Sequence, residues 1–420
     1  MNSTPFSLGL TYWPRPRRPE SPLPAWANVD HGALRADCEY LAEVGCTTLR
    51  FDLRWAEVQP GAAQINTATL RGLERALTLA DDFKLRVVVG LLAASTAGVF
   101  HLPDWAVGLR LPLGKRPAPL VIPDRAPLVL AGDRYRRQPL RDLYADPELR
   151  AAIDMLLREL IGAFAQHPAI EAWLPAMDLP QLLPFANQRA AADWYVALAE
   201  RARALGARRL IAQLRPADLA RLNGPRPEAL HHAGYDLLLD VAPLGPIKAD
   251  VAPLVQVYAL LAGLLQAEAR KPVPVLLGGL GMATAVEGRA GWVTSERFGE
   301  STQVLLADPE QQATLVEAAL GALYRVGAAG VWLAGYCDPA PGLWNVPPLD
   351  RSVAPRSWGI VDYSGREKPA AAAVRAFGAQ LRAGSLPTPG APPALPIDPE
   401  RYWRDPQSVM RELLERDEDQ

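Results

Sequence analysis

The stretch His167-Pro168-Ala169-Ile170-Glu171-Ala172-Trp173-Leu174-Pro175-Ala176-Met177-Asp178 decides how the chain is read. A helical pattern from Pro147 to His167 runs into an apolar strand from Ala169 to Leu174, which stops at a proline. The same unit recurs from end to end. Strands are predicted at Ser7 to Trp13, Thr47 to Leu53, Leu85 to Leu92, Ala169 to Leu174, Arg209 to Leu214, Tyr235 to Val241, Val273 to Leu277 and Gly330 to Gly335. Helices are predicted between and after them, at His31 to Val44, Thr67 to Asp82, Pro147 to His167, Gln188 to Leu205, Pro216 to Leu222, Ala252 to Arg270, Asp308 to Val326 and Lys368 to Ala383. Strands that alternate with helices pair in parallel. No glycine-rich phosphate turn follows the first strand, so the expected α/β fold is a closed (β/α)8 TIM barrel rather than an open doubly wound sheet.

Local signals agree with the pattern. Asp308 stands ahead of Pro309, Glu310 lies in the first turn, and Gly327 follows Val326, which together mark both ends of one helix. Leu315, Ala318, Ala319, Ala322 and Leu323 form a single apolar stripe on it. Two connections are too long for simple βα loops: Ala93 to Asp146, with Trp105, and Tyr336 to Glu367, with Trp344 and Trp358. Both leave the carboxyl ends of strands, where such barrels build their sites, so they either wall a groove or pack over the mouth. The expected organisation is a barrel over 1–383, a Pro-rich connector over 384–397 and a tail over 398–420 with a short amphipathic helix. Tyr402 and Trp403 give that tail apolar area to dock back on the barrel.

Composition excludes several classes of function. Of 420 residues, 49% are hydrophobic and 21% charged, with a formal net charge of -2, which fits a large core and gives no electrostatic case for nucleic acid or an anionic membrane. The longest apolar stretch, Val251 to Ala267, carries Gln256 and Gln266 and is too short for a comfortable span. Cys38, Cys46 and Cys337 are few and odd in number, and the five histidines make no ligand spacing with them, so neither metal nor cofactor is expected. With no basic or apolar leader pattern at Met1 to Phe6, a reduced cytoplasmic protein is the expectation.

Several motifs, in order, carry a family resemblance. Gly9-Leu10-Thr11-Tyr12-Trp13-Pro14 is similar to an opening Gly-x-Asn-Tyr-x-Pro strand; Gly45, Arg50, Trp55 and Pro60 fall at even spacing; Asp142 to Pro147 and His167 to Trp173 follow. Asp338, Pro347-Pro348-Leu349-Asp350, Trp358-Gly359-Ile360-Val361 and Gly365-x-x-Lys368-Pro369 close the set. Together they resemble the clan-A glycoside hydrolases of the cellulase and β-mannanase type. That resemblance implies a retaining mechanism with two carboxyl groups about 5 to 5.5 Å apart. It puts Met177-Asp178 where the family has Asn and the acid/base Glu, and Gly279 where it has the nucleophilic Glu. No Asn-Glu dipeptide occurs anywhere, and from Ala269 through Val286 there is no Asp or Glu, so a shift of register does not restore the pair. Glu287 is the nearest later carboxylate.

Other positions differ as well. Asp240 and Ala242 replace a His and Tyr on the sixth strand, and Ala334 replaces a sugar-stacking Trp, with Trp332 one step deeper. Arg50, Trp55 and Asp338 remain, Arg50 with Asp178 or Asp240 as its expected partner. With Trp105, Trp344 and Trp358 they make the candidate substrate-binding set. The resemblance therefore implies a barrel of glycoside hydrolase ancestry that binds an oligosaccharide, or serves as a scaffold, without retaining hydrolysis. The alternative is an active glycosidase or transglycosidase on β-linked gluco- or manno-saccharides with Asp178 as acid/base.

Overall fold

The computed structural model describes residues 5–15, 25–108, 127–132, 134–137, 139–241, 250–269, 273, 275–285, 290–391 and 398–415. Eight parallel strands close into a barrel in chain order: β1 (Ser7–Tyr12), β2 (Thr48–Arg54), β3 (Arg86–Ala93), β4 (Ile170–Leu174), β5 (Leu210–Leu214), β6 (Tyr235–Asp240), β7 (Val275–Leu280) and β8 (Gly330–Leu333). β8 pairs with β1, Val331 opposite Leu8, which shuts the ring. The (β/α)8 barrel expected from the alternating pattern is the fold observed. Strands covered on both faces read as continuous apolar runs. β3 shows this, with all but its first residue buried.

A helix follows every strand: α1 (His31–Glu43), α2 (Thr67–Asp82), α3 (Pro147–Phe164), α4 (Gln188–Ala204), α5 (Pro227–His232), α6 (Ala252–Ala269), α7 (Pro309–Arg325) and α8 (Pro369–Ala383). Short polar side chains cap the starts. Asp30, Asn66, Asp146, Asn187 and Asp308 each accept a backbone N–H from the first turn, a contact that contributes about 1 kcal/mol per helix. The helix expected at Pro216 to Leu222 ends early, at Leu219, and α5 forms a few residues later.

α6 is apolar all round because it is covered on both sides. A last helix, Pro406–Glu415, packs on its outer face and buries Val409, Met410 and Leu413. The turn before it, Pro399–Arg404, buries Tyr402 completely, so the tail docks on the barrel. No helix among the described residues is long and apolar enough to cross a membrane. The three cysteines are free thiols.

The loops at the carboxyl ends hold more structure than their composition announces. Short strands Ser95–Thr96, Val99–Leu102, Leu128–Ala131 and Arg134–Arg137 make a small sheet within the long connection after β3. A second element was not expected at all. Gly291–Arg297 and Glu300–Leu306 pair as an antiparallel hairpin between β7 and α7.

Candidate functional site

Strand alternation sends every second residue of the ring inward. At the carboxyl ends these side chains are charged. Arg50 and Asp52 come from β2, Asp240 ends β6, Arg215 stands one residue beyond β5, and Met177-Asp178 follow β4. With Ser95 and Gly279 they line a cavity of about 90 Å³, room for several waters in place of a ligand.

Two arginines organise the carboxylates. Arg50 donates from Nε to Asp52 Oδ1 at 2.8 Å and from Nη1 to Asp240 Oδ2 at 2.9 Å. Arg215 forks onto Asp178 through Nε and Nη2, the latter at 3.0 Å from Oδ2, and its Nη1 lies 3.6 Å from Asp240. Gln213 knits the two halves together: its Nε2 donates to Asp240 Oδ2 at 2.7 Å, and its Oε1 accepts from the Asp178 backbone at 3.0 Å. Burial works to raise the Asp240 carboxyl, but Arg215 and Arg50 outweigh it and hold it well below the usual range. Burial likewise opposes charge on Arg50 and Arg215, and the facing aspartates outweigh it. Asp52 goes the other way, since burial and then Asp240 and Asp178 overcome Arg50 and raise it.

Asp178 is fully committed. Ser95 Oγ donates to its Oδ2 while Arg215 occupies both oxygens, and the side chain is almost entirely buried. Its backbone is left-handed, φ 57°, a region that Asp tolerates better than most residues. Gly279 is left-handed too, φ 72°, and sits in the register irregularity between β7 and β8. A side chain at Gly279 would carry a strain of roughly 1–2 kcal/mol.

The hairpin walls one side of the cavity with Ser295, Arg297, Thr302 and Val304. Its turn is pinned where Phe298 N donates to Gly98 O at 2.6 Å and the Phe298 ring stacks on Phe100 at 4.5 Å. Val353 N donates to Ser295 Oγ at 2.9 Å, and Arg351 Nη1 donates to both carboxylate oxygens of Glu296, at 2.8 and 3.0 Å. Burial, reinforced by Arg215, brings the Arg297 guanidinium down to about 10.

Six of the expected site residues meet in this cavity: Arg50, Met177, Asp178, Asp240, Gly279 and Trp358. Five lie outside it, each for a visible reason. Trp55 opens a short helix, is fully buried, gives its Nε1–H to Gln59 at 2.8 Å and meets the edge of Trp105 at 5.4 Å. Trp105 in turn donates to Gln59 O at 2.9 Å. Trp332 is buried in the barrel interior with its Nε1 on Ser7 Oγ at 2.9 Å. Asp338 accepts from Lys368 at 2.6 Å and from Gly359 N at 2.7 Å, tying the closing loop together. Trp344 donates to Pro339 O at 3.2 Å beneath Arg356. Glu287 and Ala242 lie outside the described residues. No group of His, Cys, Asp or Glu among the described residues could hold a metal ion.

The barrel is similar in fold to solved structures. A GH5_18 protein of Streptomyces cattleya in complex with GlcNAc superposes with TM-score 0.67 at 21% identity, covering 92% of this chain and 83% of that one. A glutamate-to-alanine variant from the same organism, in complex with Manβ1-4GlcNAc, gives TM-score 0.67 at 20% identity with the same coverage. The exo-β-1,4-mannosidase of Opitutaceae bacterium strain TAV5 follows at TM-score 0.64 and 18% identity, covering 92% of this chain and 63% of that one. The fold is that of clan-A glycoside hydrolases. No protein-family model matches the sequence, and a search of curated proteins finds no match. The likeness to the glycoside hydrolases therefore lies in the barrel and not in close sequence kinship.

Sequence reading missed Asp52, Ser95, Gln213, Arg215, Trp13 and the hairpin. Arg215 had a usable signal. It is a charged residue directly after a predicted barrel strand, the place where such folds carry site residues.

Proposed function

We propose that this barrel binds a saccharide in the cavity at its carboxyl end and does not cleave it by the retaining mechanism. The commitment of Asp178 carries the reading. A general acid must present a protonated oxygen to the leaving group, and here both carboxylate oxygens accept from Arg215, with Ser95 on one of them as well. Gly279 supplies no nucleophile opposite it, and the other carboxylates of the cavity are paired: Asp52 and Asp240 with Arg50, Glu296 with Arg351. The saccharides bound in the neighbouring structures favour a sugar over a protein ligand. So do the partly exposed rings of Trp13 and Trp358, since the apolar face of an aromatic ring packs on the C–H face of a pyranose.

Isothermal titration with manno- and gluco-configured oligosaccharides, beside turnover assays on aryl glycosides of gluco, manno, xylo and galacto configuration, tests this. Saturable binding without turnover is expected. Flat titrations across the panel would remove the sugar-binding reading, and cleavage that Asp178→Ala abolishes would make the protein an active glycosidase.

A further inference from the structure

The charges of the cavity nearly all face one another, and the exception is informative. Asp52 Oδ1 is held by Arg50, but Asp52 Oδ2 takes part in no hydrogen bond among the described residues, and the side chain keeps 16% of its surface open where it lines the cavity. Nearby on β1, Thr11 Oγ1 is likewise uncommitted, in register beside Arg50. The indole N–H groups of Trp13 and Trp358 add two donors on the same cavity without a hydrogen-bond partner among the described residues. The uncommitted groups thus include one carboxylate oxygen, the hydroxyls of Thr11, Thr96, Thr302 and Ser352, and two indole N–H groups, so the carboxylate oxygen is the one strong acceptor among them. The charged lining residues balance, Arg50, Arg54, Arg215 and Arg297 against Asp52, Asp178, Asp240 and Glu296. A balanced cavity favours an uncharged guest, because an added ion would be desolvated with no net opposite charge to meet it.

Resting on the sugar-binding reading above, we propose that Asp52 is the specificity residue of the cavity, its Oδ2 accepting hydrogen bonds from hydroxyl groups of a single neutral pyranose at the end of a saccharide. Arg50 fixes the carboxylate through Oδ1, so the free oxygen is presented without rotational freedom, and such charge-assisted acceptance is about twice as strong as a neutral bond. Met177 and the bare Gly90 complete the support. A Cβ at Gly90 would fall within contact of both Met177 Sδ and Asp52 Oδ1, so only glycine leaves both where they are. The role falls to a residue outside the two carboxyl positions at Asp178 and Gly279.

The test is titration of methyl β-mannoside, methyl β-glucoside, GlcNAc, Manβ1-4GlcNAc and glucuronate against the full chain and its Asp52→Asn and Asp52→Ala variants, with Glu300→Gln on the exposed hairpin tip as control. Thermal melts accompany each variant. Asp52→Asn keeps an oxygen for Arg50, which preserves the fold if Asp52→Ala does not. Affinity for the best neutral sugar is expected to fall about tenfold or more in Asp52→Asn, with the control unchanged. A deoxy analogue lacking the contacted hydroxyl should bind the parent protein weakly and lose little more in the variant. Parent protein that binds sugar while Asp52→Asn binds equally well would overturn the role of Asp52 and leave the sugar-binding reading standing. Preference for glucuronate over every neutral sugar would overturn it as well. A parent protein that binds none of them removes both.

Discussion

On β6, Leu238 points into the barrel and packs among Ile211, Leu276 and Trp332, whereas Asp240, two residues on, joins Arg50, Gln213 and Arg215. Ile211 and Gln213 repeat the change on β5. One step of the strand period separates a dry plug from a network of ions. The plug removes apolar surface from water and so stabilises the fold directly. The network contributes little net stability, because charges taken out of water regain in mutual attraction roughly what they lose in hydration. What it provides is fixed positions for groups that face the cavity.

Trp332→Ala tests the plug and should have the largest effect, about 3–5 kcal/mol lost in denaturant unfolding, since a fully buried ring leaves a cavity. A loss below about 1 kcal/mol would mean that the interior relaxes around the gap. Arg215→Met comes next, with a loss of about 3 kcal/mol, because Asp178 is left buried without its cation. Adding Asp178→Asn, which keeps a residue suited to the left-handed backbone, should recover most of that loss. If the two changes are additive in a double-mutant cycle, the ion network is not a unit.

The smallest effect is on pH dependence. Burial pushes the Asp218 carboxyl up to about 6. An acid raised above its ordinary value contributes stability that is complete below about pH 4 and is lost as the pH rises through about 6. The advantage of the parent protein over Asp218→Asn should therefore shrink from pH 4 to pH 6, by roughly 2 kcal/mol or less. A difference that stays flat over that window would show that the buried carboxyl does not titrate there.

The plug was easy to read in the sequence and the network was not. All eight strands were visible, most as apolar runs too short for a helix and β2 as an alternation of Leu49, Phe51 and Leu53 with Arg50, Asp52 and Arg54. Met177-Asp178 and Gly279 were found through the resemblance, and both do reach the cavity. Arg215 was hidden because Arg215-Pro216-Ala217-Asp218 reads as the start of a helix, and a side chain that turns back over the mouth leaves no periodic trace. Trp105 and Trp344 show the converse. A large aromatic on a long loop is as useful for packing that loop down as for gripping a ligand, as the Trp55–Trp105 edge contact shows. Along the first hairpin strand the less exposed Val293 and Ser295 do alternate with the exposed Trp292 and Thr294, yet the run is polar enough to pass for a loop.

The docked tail bears on how the cavity is held. Tyr402 Oη donates to Leu219 O at 2.5 Å, and Arg226 lies over the Trp403 ring at 4.3 Å. Leu219 ends the single turn that begins at Pro216, immediately after Arg215. Residues 399–415 therefore brace the turn that carries Arg215, although none of them lines the cavity. Residues 399–415 are thus a remote support for the cavity, joined through one turn to the arginine that holds Asp178.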